Sequence, residues 1–507
     1  MTSAARQDHP VVRTRSGPVR GERRAGGLRF LGIPYARPPV GDLRFAAPVP
    51  PRPWTEVLDA TAYGPTAQRR PLAGVTTIPE PTVPGEAVLN LNVFTPAADP
   101  SAGLPVLVWI HGGGFVAGCS ASPWYDGAAF SRDGVVLVSV GYRLGVEGFL
   151  HLADAPDNRG VLDWIAALAW VRDNIAAFGG DGAKVTIAGQ SAGGGAVQTL
   201  LATPAARGLF RAAVSASGAV PRPQDRETAR AVSRLFAARA GVPATAAALR
   251  DATDGELLAL QDALNAPGPG RDELPPLLLG PFADGELIPV PLPEALVEGE
   301  AGADVPLLIG FTAHEFAPEA EAEAEAAAVA AEAAAVPMAA NGPALSGLLA
   351  ELGLDEEHAA RFLAHHRATG RPADPRTVGG QAITDLLFRA PAVALAEARA
   401  ARELPTWLYQ FDWSGTAPGR AGQAYHCTDL PFAFDLLHAE GVEAALGGQP
   451  PQRLAEAIHG AWVAFVRDLD PGRDWPRYAA GRATMLWDDE PHVEQDPLRA
   501  VREIWLD

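Results

Sequence analysis

One stretch of this chain carries residues suited to nucleophilic chemistry. Val185-Thr186-Ile187-Ala188 is a short β-rich run, Gly189-Gln190-Ser191-Ala192-Gly193 is a turn of the form G-x-S-x-G, and a helix with a small-residue start runs on through Ala196 to Leu201. A serine held on a strained turn between a strand and a helix leaves no room for Cβ atoms on its flanks, and glycine stands on both sides of it, at 189 and 193. The start of the helix offers free N–H groups to a developing anion. Ser191 is therefore a candidate nucleophile. The pattern alone fits a glycine-rich turn with no chemistry equally well, so the reading depends on whether the chain also supplies an oxyanion site, an acid and a base.

A second motif has the same chemistry. The continuous apolar run Val106-Leu107-Val108-Trp109-Ile110 reads as a strand buried on both faces, and it ends in His111-Gly112-Gly113-Gly114-Phe115. Successive glycines leave backbone N–H groups unobstructed, as an oxyanion hole requires; the alternative is a flexible turn. Glu315 is the candidate acid, because it lies just beyond the apolar run Val305–Gly310 and between the serine and the later histidines. The competing reading is a solvated glutamate, since residues 317–336 are a run of Ala and Glu best read as an exposed or cap helix. His426 is the candidate base. Of the 11 histidines, those after Glu315 are His358, His365, His366, His426, His438, His459 and His492, and only His426 sits in a loop after an alternating, strand-like segment, Trp407–Trp413.

The elements around these residues alternate. Strand signals fall at 89–94, 106–110, 135–140 and 185–188, and a helix is expected from about Val161 to Phe178, stopped by Gly179-Gly180. Strand–helix alternation predicts an α/β fold with a mostly parallel sheet covered by helices on both faces. Residues 337–400 read as helical, with Gly/Pro breaks at 342–343 and 370–375.

Composition narrows the class. The chain has 507 residues, 48% hydrophobic and 20% charged, as in a globular protein. A formal net charge of −19 argues against nucleic acid or an anionic membrane as partner. The two cysteines, Cys119 and Cys427, exclude a disulfide scaffold and are expected to be buried, inert thiols with no bond between them. No apolar run reaches the roughly 18 residues of a membrane span, and the first residues have no signal-peptide core.

The chain resembles the type-B carboxylesterases of the α/β-hydrolase superfamily, which include bacterial para-nitrobenzyl esterases, animal carboxylesterases and cholinesterases. The resemblance is carried by F-L-G-I-P-Y-A-R-P-P-V-G-D-L-R-F (30–45), L-N-L-N-V-F-T-P (89–96), H-G-G-G-F (111–115), Y-D-G (125–127), Y-R-L-G (142–145), N-I-A-A-F-G-G-D (174–181), G-Q-S-A-G-G (189–194) and H-C-T-D-L-P-F (426–432). It spans nearly the whole chain. It implies one α/β-hydrolase domain over 1–507, with a helical cap or insert region at 317–400. It also implies a Ser191–His426–Glu315 triad, with the N–H groups of Gly113, Gly114 and Ala192 as oxyanion donors, and no metal or organic cofactor. Glu315 stands fifth after Gly310, as in the family's G-x-x-x-x-E, but His314 and Phe316 replace the usual acidic residue and glycine beside it.

Further expectations follow from the same resemblance. Arg44 with Glu86 and Arg143 with Asp163 are expected as structural ion pairs, and Ser217 as a buried partner behind the acid or simply a strand-end turn. Ala67 and Val88 stand where secreted members carry a disulfide, which fits a reducing, cytoplasmic location. The 66–88 loop lacks the aromatic residue with which choline-binding members hold a cation. A small-molecule substrate, an uncharged aryl or alkyl ester, is expected, with carbamates or amides as neighbouring chemistry. A non-catalytic binding member of the family would be expected to lack part of the triad.

Overall fold

The computed structural model describes residues 9–71, 77–218, 224–271, 274–316 and 345–506. The strands in chain order are β1 (Val11–Arg13), β2 (Pro18–Arg20), β3 (Glu22–Arg24), β4 (Gly27–Pro34), β5 (Leu58–Asp59), β6 (Asn90–Thr95), β7 (Leu104–Ile110), β8 (Val136–Val140), β9 (Gly180–Gln190), β10 (Ala212–Ala216), β11 (Leu307–Thr312), β12 (Thr406–Phe411), β13 (Ala483–Trp487) and β14 (His492–Gln495). Strands β1, β2 and β5 form a small separate sheet. The other 11 form one sheet in the order β14-β13-β12-β11-β10-β9-β7-β8-β6-β4-β3. Neighbours from β13 through β8 are parallel, and antiparallel strands close both ends.

The central strands are apolar on both faces because helices cover both faces. Residues alternate between two cores. Val106, Val108 and Ile110 of β7 pack with one helical layer, including Val161, Trp164 and Leu168 of helix α1 (Arg159–Asn174) and Leu200 of helix α2 (Ala192–Ala202). Leu107 and Trp109 point the other way, among Ile458, Trp462 and Phe465 of a later helix, Gln452–Asp468. A third, smaller core is built by the helices Leu345–Glu351, Glu356–Ala368 and Pro375–Thr384 with the last helix, Arg499–Trp505. Among the described residues, no helix is long and apolar enough to cross a membrane.

Several expected boundaries move by a turn or less. The expected helix to Phe178 ends at Asn174 and tightens into a 3₁₀ turn over Ile175–Phe178, stopped by Gly179 at φ 85°. The break at 370–375 falls between two helices as expected, while the 317–336 run and the 342–343 break lie outside the described residues. Arg143 and Asp163 form a fully buried ion pair at 2.7 Å. Arg44 does not pair with Glu86, which is exposed. It bonds Glu147 at 2.7 Å and Asp254 at 2.9 Å. Burial pushes the Glu147 carboxyl up, and Arg44 is the cation that opposes the shift. Across the 66–88 loop, Arg69 bonds Glu80 at 3.1 Å, and Glu80 also accepts from the Gly118 N–H at 3.1 Å. Both cysteines are free and buried.

Candidate active site

The elbow forms where β9 runs into α2. Ser191 between them has φ 57° and ψ −126°, a conformation rare for a residue with a side chain. The surroundings force it. A Cβ at Gly189 would strike the Gly193 carbonyl, and one at Gly193 would strike the Ile110 carbonyl, both rigid backbone. Ser191 N–H donates to the Ala216 carbonyl at 3.0 Å, and its own carbonyl accepts from Gly195 N–H at 2.9 Å. Ala192 is the first residue of α2, so its N–H has no partner within the helix.

The glycine loop after β7 lies against this elbow. A Cβ at Gly112 would come within 2.6 Å of the Gln190 carbonyl and 3.1 Å of Ser191 Cβ. Gly113 and Gly114 have φ of 115° and 59°, so both N–H groups are presented in a conformation that favours glycine. The loop is anchored by His111, whose ring stacks on Tyr142 at 4.5 Å and whose carbonyl accepts from Tyr142 Oη at 2.9 Å. Burial holds the His111 imidazole down to about 4, so it stays neutral.

Glu315 lies in the turn just beyond β11 and is fully buried. One carboxylate oxygen accepts the Thr312 N–H at 2.8 Å, and the other makes a short contact with His426 Nδ1. The backbone doubles this link, since His426 N–H donates to the Glu315 carbonyl at 3.3 Å. Burial pulls the His426 imidazole towards the neutral form. Cys427 beside it and the Glu315 carboxylate outweigh that pull and leave its pKa raised well above 6.5. The structure thus brings together Glu315, in the turn after β11, and His426, in the long loop after β12, with Ser191 at the end of β9. In parallel α/β sheets, the carboxyl ends of the strands are where ligands bind.

His426 Nε2 meets the side-chain nitrogen of Gln190 at 3.2 Å, and not the Ser191 hydroxyl. The Gln190 amide thus occupies Nε2 while Nδ1 faces Glu315, so both ring nitrogens have a side-chain partner. Ser217 is buried, but its Oγ has no hydrogen-bond partner among the described residues, and Thr312 serves the acid in its place.

Four neighbours of the site were not assigned a role from the sequence. Gln190 was read only as the variable residue of the G-x-S-x-G turn. Asp429, three residues after His426, is buried, accepts from Tyr409 Oη at 3.1 Å, and is pushed up to about 7 by burial and then by Glu315. The acidic position of H-x-x-[DE] is the signal that marks it. Phe316 and Phe388 pack on the His426 ring, with centroids at 5.2 and 5.3 Å; Phe316 was read only as a departure from the usual glycine. Beside the acid turn, a cavity of about 170 Å³ is lined by His314, His365, His366, Arg371 and Arg389, among others. Among the described residues, no group of three or more His, Cys, Asp or Glu is poised to hold a metal ion.

Residues 8–505 match the Carboxylesterase family. The chain is 37% identical to the para-nitrobenzyl esterase of Bacillus subtilis (strain 168), over 98% of both chains. It is 33% identical to a phenmedipham hydrolase of Pseudarthrobacter oxydans, over 97% of both. The crystal structure of a Geobacillus stearothermophilus carboxylesterase superposes with a TM-score of 0.81 at 34% identity, covering 98% of this chain and 99% of that one. With an α/β-hydrolase sheet, a strained serine elbow facing a glycine loop, and matches that run nearly end to end, the chain belongs to the carboxylesterase family.

Proposed function

We propose that this carboxylic ester hydrolase works through Ser191 as nucleophile, His426 as general base and acid, and Glu315 as the group that orients and charges the imidazole. The observation that carries the reading is the contact of the Glu315 carboxylate with His426 Nδ1, between the loops that follow adjacent strands. In the reaction, Ser191 Oγ replaces Gln190 at His426 Nε2 and gives up its proton as it attacks the ester carbonyl. The negative charge moves to the carbonyl oxygen, where the N–H groups of Gly113, Gly114 and Ala192 receive it. The imidazolium protonates the leaving alcohol, and water then releases the acid from Ser191 by the same base.

The substrate is proposed to be a small uncharged aryl or alkyl ester. The 66–88 loop has no Trp, Tyr or Phe to hold a quaternary cation. Hydrolysis of para-nitrophenyl acetate, butyrate and octanoate by the wild type and Ser191→Ala tests the assignment. Turnover should vanish in the variant, and a fluorophosphonate should label the wild type once and the variant not at all. Turnover surviving in Ser191→Ala would reject Ser191 as nucleophile. A carbamate and an anilide run beside the esters separate ester from neighbouring acyl chemistry.

A further inference from the structure

We propose that Phe316 is a positioning residue for His426, holding the imidazole in plane and stabilising its charged form through the face of the phenyl ring. The inference rests on the assignment of His426 as the base. It begins with the way the imidazole is held. Its two nitrogens are tied in the ring plane, Nδ1 by Glu315 and Nε2 by Gln190. Those contacts leave rotation out of the plane to be limited by whatever covers the face.

Phe316 covers it. The two rings stack at 5.2 Å with an interplanar angle of 24°. Phe388, which is buried, touches both, at 5.3 Å from His426 and 5.4 Å from Phe316. The backbone at 316 is pinned as well. Its N–H donates to Thr384 Oγ1 at 3.2 Å, and that buried hydroxyl donates to the Gly380 carbonyl at 2.8 Å. The backbone bond and the packing of the phenyl ring against both His426 and Phe388 set where that ring lies. It follows the acid directly in sequence, so one turn sets both the edge and the face of the imidazole.

The electrostatics have a definite sign. The imidazole gains a proton at Nε2 when Ser191 attacks, and the face of a phenyl ring is electron-rich, so a parallel stack favours the cation over the neutral ring. The titratable groups facing His426 are Glu315 on the acid turn, Cys427 and Asp429 on its own loop, and Tyr409 on β12 behind Asp429. All of these are unchanged by substitution at 316, so a shift in the acid limb of the activity profile reports the ring.

The test is the pH dependence of kcat and kcat/KM for para-nitrophenyl butyrate, measured on the full chain as wild type, Phe316→Leu, Phe316→Tyr, and with pentafluorophenylalanine at 316. The fluorinated residue keeps the shape of the ring and reverses the charge of its face, so it guards against a leucine variant that folds poorly. Expected are an acid limb lower by about half a pH unit in the leucine and fluorinated proteins, and a kcat reduced about 3-fold or more with KM little changed. Tyrosine should restore both. A wild-type acid limb in the fluorinated protein, or an effect confined to KM, would overturn the proposal. His426→Ala keeps the two readings apart. If that variant still turns over, the base assignment fails. If it is dead while the fluorinated protein has a wild-type limb, only the role of Phe316 fails.

Discussion

Glu315 presents two carboxylate oxygens to two donors, the Thr312 N–H and the His426 Nδ1–H. Glutamine has one oxygen and one NH₂, so Glu315→Gln cannot serve both and either loses a bond or forces the imidazole into the wrong tautomer. We predict a fall in kcat of about 10²–10⁴, with the acid limb of the profile at lower pH because the imidazolium loses its counter-charge. Steady-state rates between pH 5 and 9 check this; an unshifted limb would contradict it. Asp429 has the opposite linkage. Its carboxyl is pushed from an ordinary 3.8 up to about 7, so the folded state keeps a proton that the unfolded chain has released. Its contribution to stability is therefore fully present below about pH 4 and is lost as pH rises through 7. Asp429→Asn keeps an acceptor for the Tyr409 hydroxyl and removes the charge. Relative to wild type it should gain stability from pH 5 to pH 8, by at most ~3 kcal/mol. Denaturant midpoints at the two pH values measure this, and a pH-independent difference would reject it. At this scale the sequence was informative about residue types and silent about partners. Motif and chain order singled out Ser191, Glu315 and His426 as candidates, whereas Gln190 at Nε2 and Phe316 on the ring face are contacts across turns that local pattern does not encode.

The elbow is the element with the least tolerance. At Gly193 an added methyl would meet the Ile110 carbonyl, which belongs to β7 and cannot rotate away. Gly193→Ala should therefore lose more than ~3 kcal/mol of stability and lose turnover with it. Gly255 is the matching control: it lies in the helix Asp254–Asn265, where an added Cβ meets nothing within 4 Å. Gly255→Ala should be neutral or stabilise by up to ~1 kcal/mol, with unchanged activity. Thermal melts and para-nitrophenyl butyrate rates on the two variants separate strain at the elbow from any general sensitivity to replacing glycine. Elements were legible wherever an apolar run was long. Their ends were not, because an end is set by the last hydrogen bond to a neighbouring strand. β11, for example, begins at Leu307, after Pro306, and extends to Thr312, past the apolar run at 305–310.

At the scale of the whole molecule, the site depends on one sheet bringing together residues far apart in the chain. The buried Arg143–Asp163 pair helps hold α1 to the loop after β8, and Arg143 also donates to the Ala46 carbonyl at 2.7 Å. Asp163→Asn leaves a guanidinium buried without its counter-ion, so we expect a loss of about 3–5 kcal/mol, read as a lower denaturant midpoint without a change in substrate preference. The two buried thiols give a second global readout. Both should be unreactive towards a thiol reagent in the folded protein and titrate together on unfolding. Rapid labelling of Cys427 in the native state would mean that the loop carrying His426 opens.

The sequence by itself determined the strand–elbow–helix that carries Ser191, the glycine loop, the chain order of Ser191, Glu315 and His426, and the alternation that makes a parallel sheet. Each of these is written in local spacing, where apolar period, glycine and turn chemistry act over a few residues. The tertiary structure alone decided which groups touch: Arg44 on Glu147 and not Glu86, Thr312 on the acid and not Ser217, Gln190 at the imidazole nitrogen, and two phenyl rings on its face. Those choices depend on strand order and on desolvation. A buried charge or polar group takes the partner that packing brings within reach, and the sheet sets that distance independently of separation along the chain.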